Sequence, residues 1–172
     1  MVLTNPATSG TKILLITPPP INVPAPKAET CESEIPAVKE ALKRDRQNGI
    51  KNDRGYRTWC SKKEYAQRIR EIGAEYQEKT ELVGILDFWT KITEFGRGEA
   101  ENQGWRRPEG VDAQKVEIGC GLLGAPEFDR DTFVDGLHMG WKAYAVLSRE
   151  VVNIITEKWP ELKREDIDLT KE

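Results

Sequence analysis

Histidine occurs once in these 172 residues, at His138, and cysteine three times, at Cys31, Cys60 and Cys120. One imidazole and three scattered thiols offer no paired-ligand spacing, which argues against a zinc site, and no metal is expected. An odd, widely spaced set of cysteines fits reduced thiols better than a disulfide framework and points to a cytoplasmic setting. Charge of one sign is also lacking. Against 29 Asp and Glu stand 26 Lys and Arg, and the net −3 implies neither a nucleic-acid nor an anionic-membrane partner. No apolar run approaches the ~20 residues that span a bilayer. The opening MVLTNPATSGTKILLITPPP has no basic n-region, and Ile13 to Ile16 is too short for a signal-peptide core.

What is present suits one domain over residues 1–172, leaner in core than most, with 38% apolar residues. TKILLIT, Thr11 to Thr17, reads as a strand buried on both faces. Three prolines after it end the ladder. From about residue 23 to residue 60 the chain reads as an irregular, charged insertion with one short helix at PAVKEALKRDRQ. Ser61 to Lys79 reads as an amphipathic helix through Tyr65, Ile69, Ile72 and Tyr76, with Ser61 and Glu64 as a capping box. Leu82 to Leu86 gives a second buried strand, and a short helix follows Asp87. Gly96 to Arg130 reads as loop. The last helix runs from about Trp141 to Trp159, with Tyr144, Leu147, Val151, Ile154 and Ile155 on one face and Pro160 as its stop. Strand, helix, strand, loop, helix is an α/β order that implies parallel pairing.

The chemistry centres on Asp135-Gly136-Leu137-His138. A carboxylate three residues before an imidazole can accept its Nδ1 proton, fix the tautomer and leave Nε2 to take a proton from a hydroxyl nucleophile. The motif is short, and a plain cap followed by an exposed imidazole is the alternative reading.

Three stretches widen the context: KILLITPPPIN, ILDFWTKI, and GLLGAPEF continued by FVDGLHMGWKAYAVLSREVVNIITEKWPEL. Together they resemble, in the same order, the SGNH (GDSL-type) hydrolases, and within them the isoamyl acetate-hydrolysing esterases. The resemblance runs from about Lys12 to Leu162 and is weakest between Val23 and Cys60. It implies a flavodoxin-like three-layer α/β/α fold with a parallel sheet and a Ser-Asp-His mechanism on carboxylic esters. In that scheme His138 is the base and Asp135 its orienter. No cofactor is implied.

The chain departs from the family pattern in two places. After His138 it has Gly140 and Trp141, where a small or polar residue and then Pro or Gly is usual. The family's Gly-Asp-Ser nucleophile turn and its oxyanion blocks precede the strand matched by Lys12 to Thr17, yet only eleven residues precede that strand here and Gly-Asp-Ser occurs nowhere. Ser9 and Ser33 read as loop residues, Ser61 as a cap and Ser148 as helical. Asn52-Asp53 lies on the wrong side of the strand to replace an oxyanion block. At about 30 residues per βα unit, roughly 100 residues with three strands would be missing. The expectation is therefore a truncated esterase domain that lacks its N-terminal strands and is inactive alone. Self-association or pairing through an exposed sheet edge is also expected. A non-catalytic remnant or interaction protein of esterase ancestry is the alternative.

Other signals carry less. GCGLLG, Gly119 to Gly124, has the dinucleotide-loop spacing, but Pro126 denies the helix that loop requires, and a flexible loop fits better. The basic cluster Lys43, Arg44, Arg46, Lys51, Arg54 and Arg57 is interleaved with Asp45 and Asp53 and reads as a solvated loop. Trp89 reads as core, and Trp105 as a candidate wall of an acyl pocket.

Overall fold

The computed structural model describes residues 9–25, 53–106, 116–122 and 124–162. The chain is mixed α/β. Two strands, β1 (Ile13–Ile16) and β2 (Val83–Leu86), pair in parallel with Ile13 opposite Val83 and Ile16 opposite Leu86. Between them runs α1 (Asp53–Gln77), and after them come α2 (Phe88–Asn102), α3 (Trp141–Lys158) and a 3-10 turn at Pro160–Leu162. No described helix is long and apolar enough to cross a membrane.

The pleat sends alternate residues to opposite faces, and each face takes a helix. On the Ile85 side lies α1: a Cβ on Gly73 would come 2.4 Å from Ile85 Cγ1 and 3.5 Å from Leu15 Cδ1. Toward the other side lies α3, where Gly84 approaches the ring of Trp159 and Leu14 packs against a core that includes Val146 and Phe133. Trp159 Nε1 donates to Glu81 O at the start of β2, 3.0 Å. With its C-terminal end fixed there, α3 begins toward the C-terminal ends of the strands.

Several sequence-based expectations need correction. Strand β1 is not buried on both faces: Ile13 to Leu15 are half-buried and Ile16 is exposed, because β2 is its only partner among the described residues. Helix α1 starts eight residues before Ser61, which therefore lies inside the helix and caps nothing. Its buried positions are Trp59, Ala66 and Gly73, spaced by seven, while Tyr65 and Ile72 face solvent. One residue is about 100° of helix rotation, so the expected stripe is turned outward. Close approach to the sheet selects small residues on that face.

Gly96 does not begin a loop. Helix α2 continues through it to Asn102, because a Cβ at residue 96 would fall 2.3 Å from Phe128 Cε1. On α3, Tyr144 is exposed, and the packed face is Ala143, Val146, Leu147, Val151 and Ile154. The residues of the short helix at PAVKEALKRDRQ, the side chains of the basic cluster, and Ser33 and Cys31 lie outside the described residues.

Two contiguous cores result. One joins Trp59, Ala66, Trp89, Val116, Cys120 and Leu122, with Trp59 and Trp89 edge to face at 5.2 Å. The other joins Leu86, Phe88, Ile92, Ile118, Phe128, Phe133, Ala143 and Val146. Trp89 is core as expected.

Candidate functional site

The chain leaves β1 through Thr17, whose buried hydroxyl accepts from Trp89 N and donates to Asp87 Oδ1. Asp87 caps α2 through Thr90 and pairs with Arg70 at 2.9 Å. Burial opposes ionisation of Asp87, but the bonds from Thr90 and Arg70 outweigh it and lower its pKa. This knot ties the C-terminal ends of both strands to α2.

Past the prolines, Val23 runs beside Cys120 as an isolated parallel bridge, and Val23 N donates to Gly119 O, 2.8 Å. Gly119 and Cys120 of the GCGLLG stretch are therefore tied to the segment after β1. Gly119 has φ +73°, and a Cβ there would lie 2.8 Å from Ile21 O. Only glycine fits both demands.

Residues 129–140 then form the site. Asp129 accepts from Thr132 N and Thr132 Oγ1, both at 2.7 Å, and from Lys142 Nζ at 2.6 Å. Lys142 also donates to Glu99 of α2, 2.8 Å. Burial opposes ionisation of Asp129, but the Lys142 and Thr132 bonds lower its pKa, and the same carboxylates raise that of Lys142. Phe133 bridges Met139 in antiparallel fashion, and Val134 N donates to His138 O, 2.9 Å. The loop they close carries Asp135 and His138 at its tip.

Asp135 divides its two oxygens. Oδ1 accepts from Leu137 N at 3.0 Å and His138 N at 2.8 Å, while Oδ2 meets His138 Nδ1 at 2.6 Å. The backbone bond from His138, then its side-chain bond and the bond from Leu137, hold this carboxyl far below the usual aspartate range. An ionised carboxylate only accepts, so Nδ1 carries the proton of the neutral imidazole and Nε2 keeps its lone pair. Among the described residues nothing hydrogen-bonds Nε2. The side chains of His138 and Asp135 are 75% and 54% exposed. The capping role and the dyad thus coexist in one carboxylate.

Gly140 follows in extended conformation, and a Cβ on it would lie 2.1 Å from Asp131 O. The Gly140-Trp141 departure therefore serves a tight crossing where α3 begins, and it leaves the dyad intact.

The described serines lie in other elements than the dyad loop. Ser61 is inside α1. Ser148 is exposed on α3, seven residues or about 10 Å of helix beyond Trp141. Ser9 lies in a turn before β1. Asp53 opens α1 and supplies no oxyanion block. Trp105 donates Nε1 to Gly124 O and lines, with Glu101, Asn102 and Arg106, an open cavity of about 340 Å³ that includes neither dyad residue. Among the described residues no cluster of three His, Cys, Asp or Glu could hold a metal ion. Sequence reasoning missed Asn22, which bonds both Phe128 and Gly136; a lone asparagine after three prolines carries no motif.

No family model, curated protein or solved structure matches this chain.

Proposed function

We propose that this chain is an esterase-family protein of the SGNH type, in which His138 is the general base and Asp135 its orienter in a Ser-Asp-His mechanism on carboxylic esters. The observation that carries the reading is the 2.6 Å contact from His138 Nδ1 to Asp135 Oδ2, in an exposed side chain whose Nε2 has no hydrogen-bond partner among the described residues. The α/β order and the parallel pairing of β1 with β2 support this reading. In the proposed reaction Nε2 takes the serine proton as the hydroxyl attacks the ester carbonyl, then returns it to the leaving alcohol. Water, deprotonated by the same nitrogen, cleaves the acyl-enzyme and restores the serine.

The nucleophile is the missing part. Gly-Asp-Ser is absent from the sequence, and the alternative of a non-catalytic remnant or interaction protein rests on that absence. The test is a fluorophosphonate probe together with p-nitrophenyl acetate and butyrate. The reading expects residues 1–172 alone to remain unlabelled and to hydrolyse both esters no faster than a His138→Ala variant. Labelling of Ser9, Ser33, Ser61 or Ser148 with His138-dependent turnover would show a re-sited nucleophile instead.

A further inference from the structure

We propose that Asn22 is a positioning residue for the Asp135–His138 dyad, holding it in register with the strand ends. The bonds inside the 134–138 loop are local, and the loop's shape and placement depend also on contacts from outside it. Asn22 supplies one. Its backbone N–H donates to Gly136 O at 2.7 Å, in the middle of the dyad loop. Its side chain uses both ends on a single residue, Nδ2 donating to Phe128 O at 2.9 Å and Oδ1 accepting from Phe128 N at 3.0 Å. Phe128 is buried beside Phe133, with ring centroids 4.8 Å apart, and Phe133 starts the dyad loop. One asparagine, six residues beyond β1, thus holds the loop directly at Gly136 and, through Phe128, the ring of Phe133 at its start.

Gly136 completes the fit. It has φ +85°, and a Cβ there would lie 2.5 Å from Asn22 O. The approach of the two backbones therefore needs glycine on one side and a fixed carbonyl on the other. Asn22 touches neither imidazole nor carboxylate, so it acts through the loop alone. The inference deepens the relay reading, and its test observes the imidazole itself, so it fails or succeeds separately from ester hydrolysis.

His138 is the only histidine, and a two-bond ¹H–¹⁵N spectrum reports its tautomer without assignment. The intact protein at neutral pH is expected to show the Nδ1–H form. Asn22→Ala removes both side-chain bonds to Phe128 and keeps the backbone bond to Gly136; it is expected to lower the ratio of Nδ1–H to Nε2–H at least about fivefold, the equilibrium effect of losing one ordinary hydrogen bond. Asn22→Asp keeps the acceptor for Phe128 N and should restore part of it. Gly136→Ala strikes the other anchor, the backbone approach of residue 136 to Asn22, and should reproduce the loss. A lower melting temperature with an unchanged tautomer in Asn22→Ala would make the role merely structural and overturn the proposal. If Asn22→Ala does not fold, an unchanged tautomer in both Asn22→Asp and Gly136→Ala overturns it equally.

Discussion

Asp135 and His138 meet twice, the backbone N–H of His138 on Oδ1 at 2.8 Å and its ring Nδ1 on Oδ2 at 2.6 Å. The first bond orients the carboxylate that the second one uses. Replacing Asp135 with Asn keeps a capping oxygen but removes the ionised acceptor at Nδ1. The expected outcome is an intact fold with His138 shifted toward the Nε2–H tautomer, read by the same two-bond spectrum. An Asp135→Asn protein that keeps Nδ1–H would dissolve the dyad.

The two sides of the helices should separate cleanly in stability. Ile92 is fully buried in α2, and Ile92→Ala should cost about 2–5 kcal/mol, enough to unfold a marginal domain. Tyr144, 55% exposed on α3, should change stability by no more than about 0.5 kcal/mol when replaced by Ala. Urea midpoints of the two variants check both values. Equal losses would mean that α3 presents a different face.

Those faces show how much of the fold the sequence discloses. The strands are visible as short apolar runs, and Pro160 marks the end of α3. The dyad is visible because Asp-Gly favours a turn and the only histidine follows it. Faces built from small residues are not visible. Gly73 lies against the sheet and Ala66 in the core with Trp59 and Trp89, and a search for large apolar side chains passes over both to Tyr65 and Ile72. Gly96 misleads for the same reason: glycine reads as a breaker, whereas here it admits the ring of Phe128. The hold of Asn22 on the dyad loop spans more than a hundred residues of sequence, and no local pattern encodes it.

Gly140→Ala tests the crossing before α3. The added methyl would meet Asp131 O at 2.1 Å, a backbone atom with little freedom to move. Overpacking of this kind costs about 1–3 kcal/mol, and the start of α3 should fray with it. Amide hydrogen exchange at Trp141 to Tyr144 would rise first. Unchanged exchange there would contradict the contact.

Acid should loosen the molecule in a defined window. The pKa values of Asp87 and Asp129 are lowered in the folded chain, so their stabilisation is fully present above the ordinary aspartate value of about 4. It is lost as pH falls from there through the folded values. The urea midpoint should stay level from about pH 7 to 5 and decline below about 4, with a shallower decline in Asp129→Asn. A decline beginning near pH 6 would contradict the assignment to these two carboxylates.

Among the described residues β1 pairs with β2 alone, and such an edge predicts association. Ile13 and Thr17 direct their N–H groups to β2, so Leu14 and Ile16 direct theirs away from it. Two strands are few for a stable sheet, and such an edge invites pairing. Sedimentation should show a concentration-dependent shift above the monomer mass, together with a concentration-dependent melting temperature. A sharp, concentration-independent transition of a pure monomer would rule this out.

The central claim is that Asp135 and His138 can serve as orienter and base of an esterase relay. The most direct measurement mixes this chain with the N-terminal half of an isoamyl acetate-hydrolysing esterase that carries its Gly-Asp-Ser turn, and follows p-nitrophenyl acetate hydrolysis. The account predicts turnover that neither half shows alone, with fluorophosphonate labelling on the added half. His138→Ala or Asp135→Asn in this chain should abolish that turnover, since losing the base of a triad costs on the order of 10⁶ in rate. A complex that forms but stays inactive, or activity indifferent to His138→Ala, would contradict it.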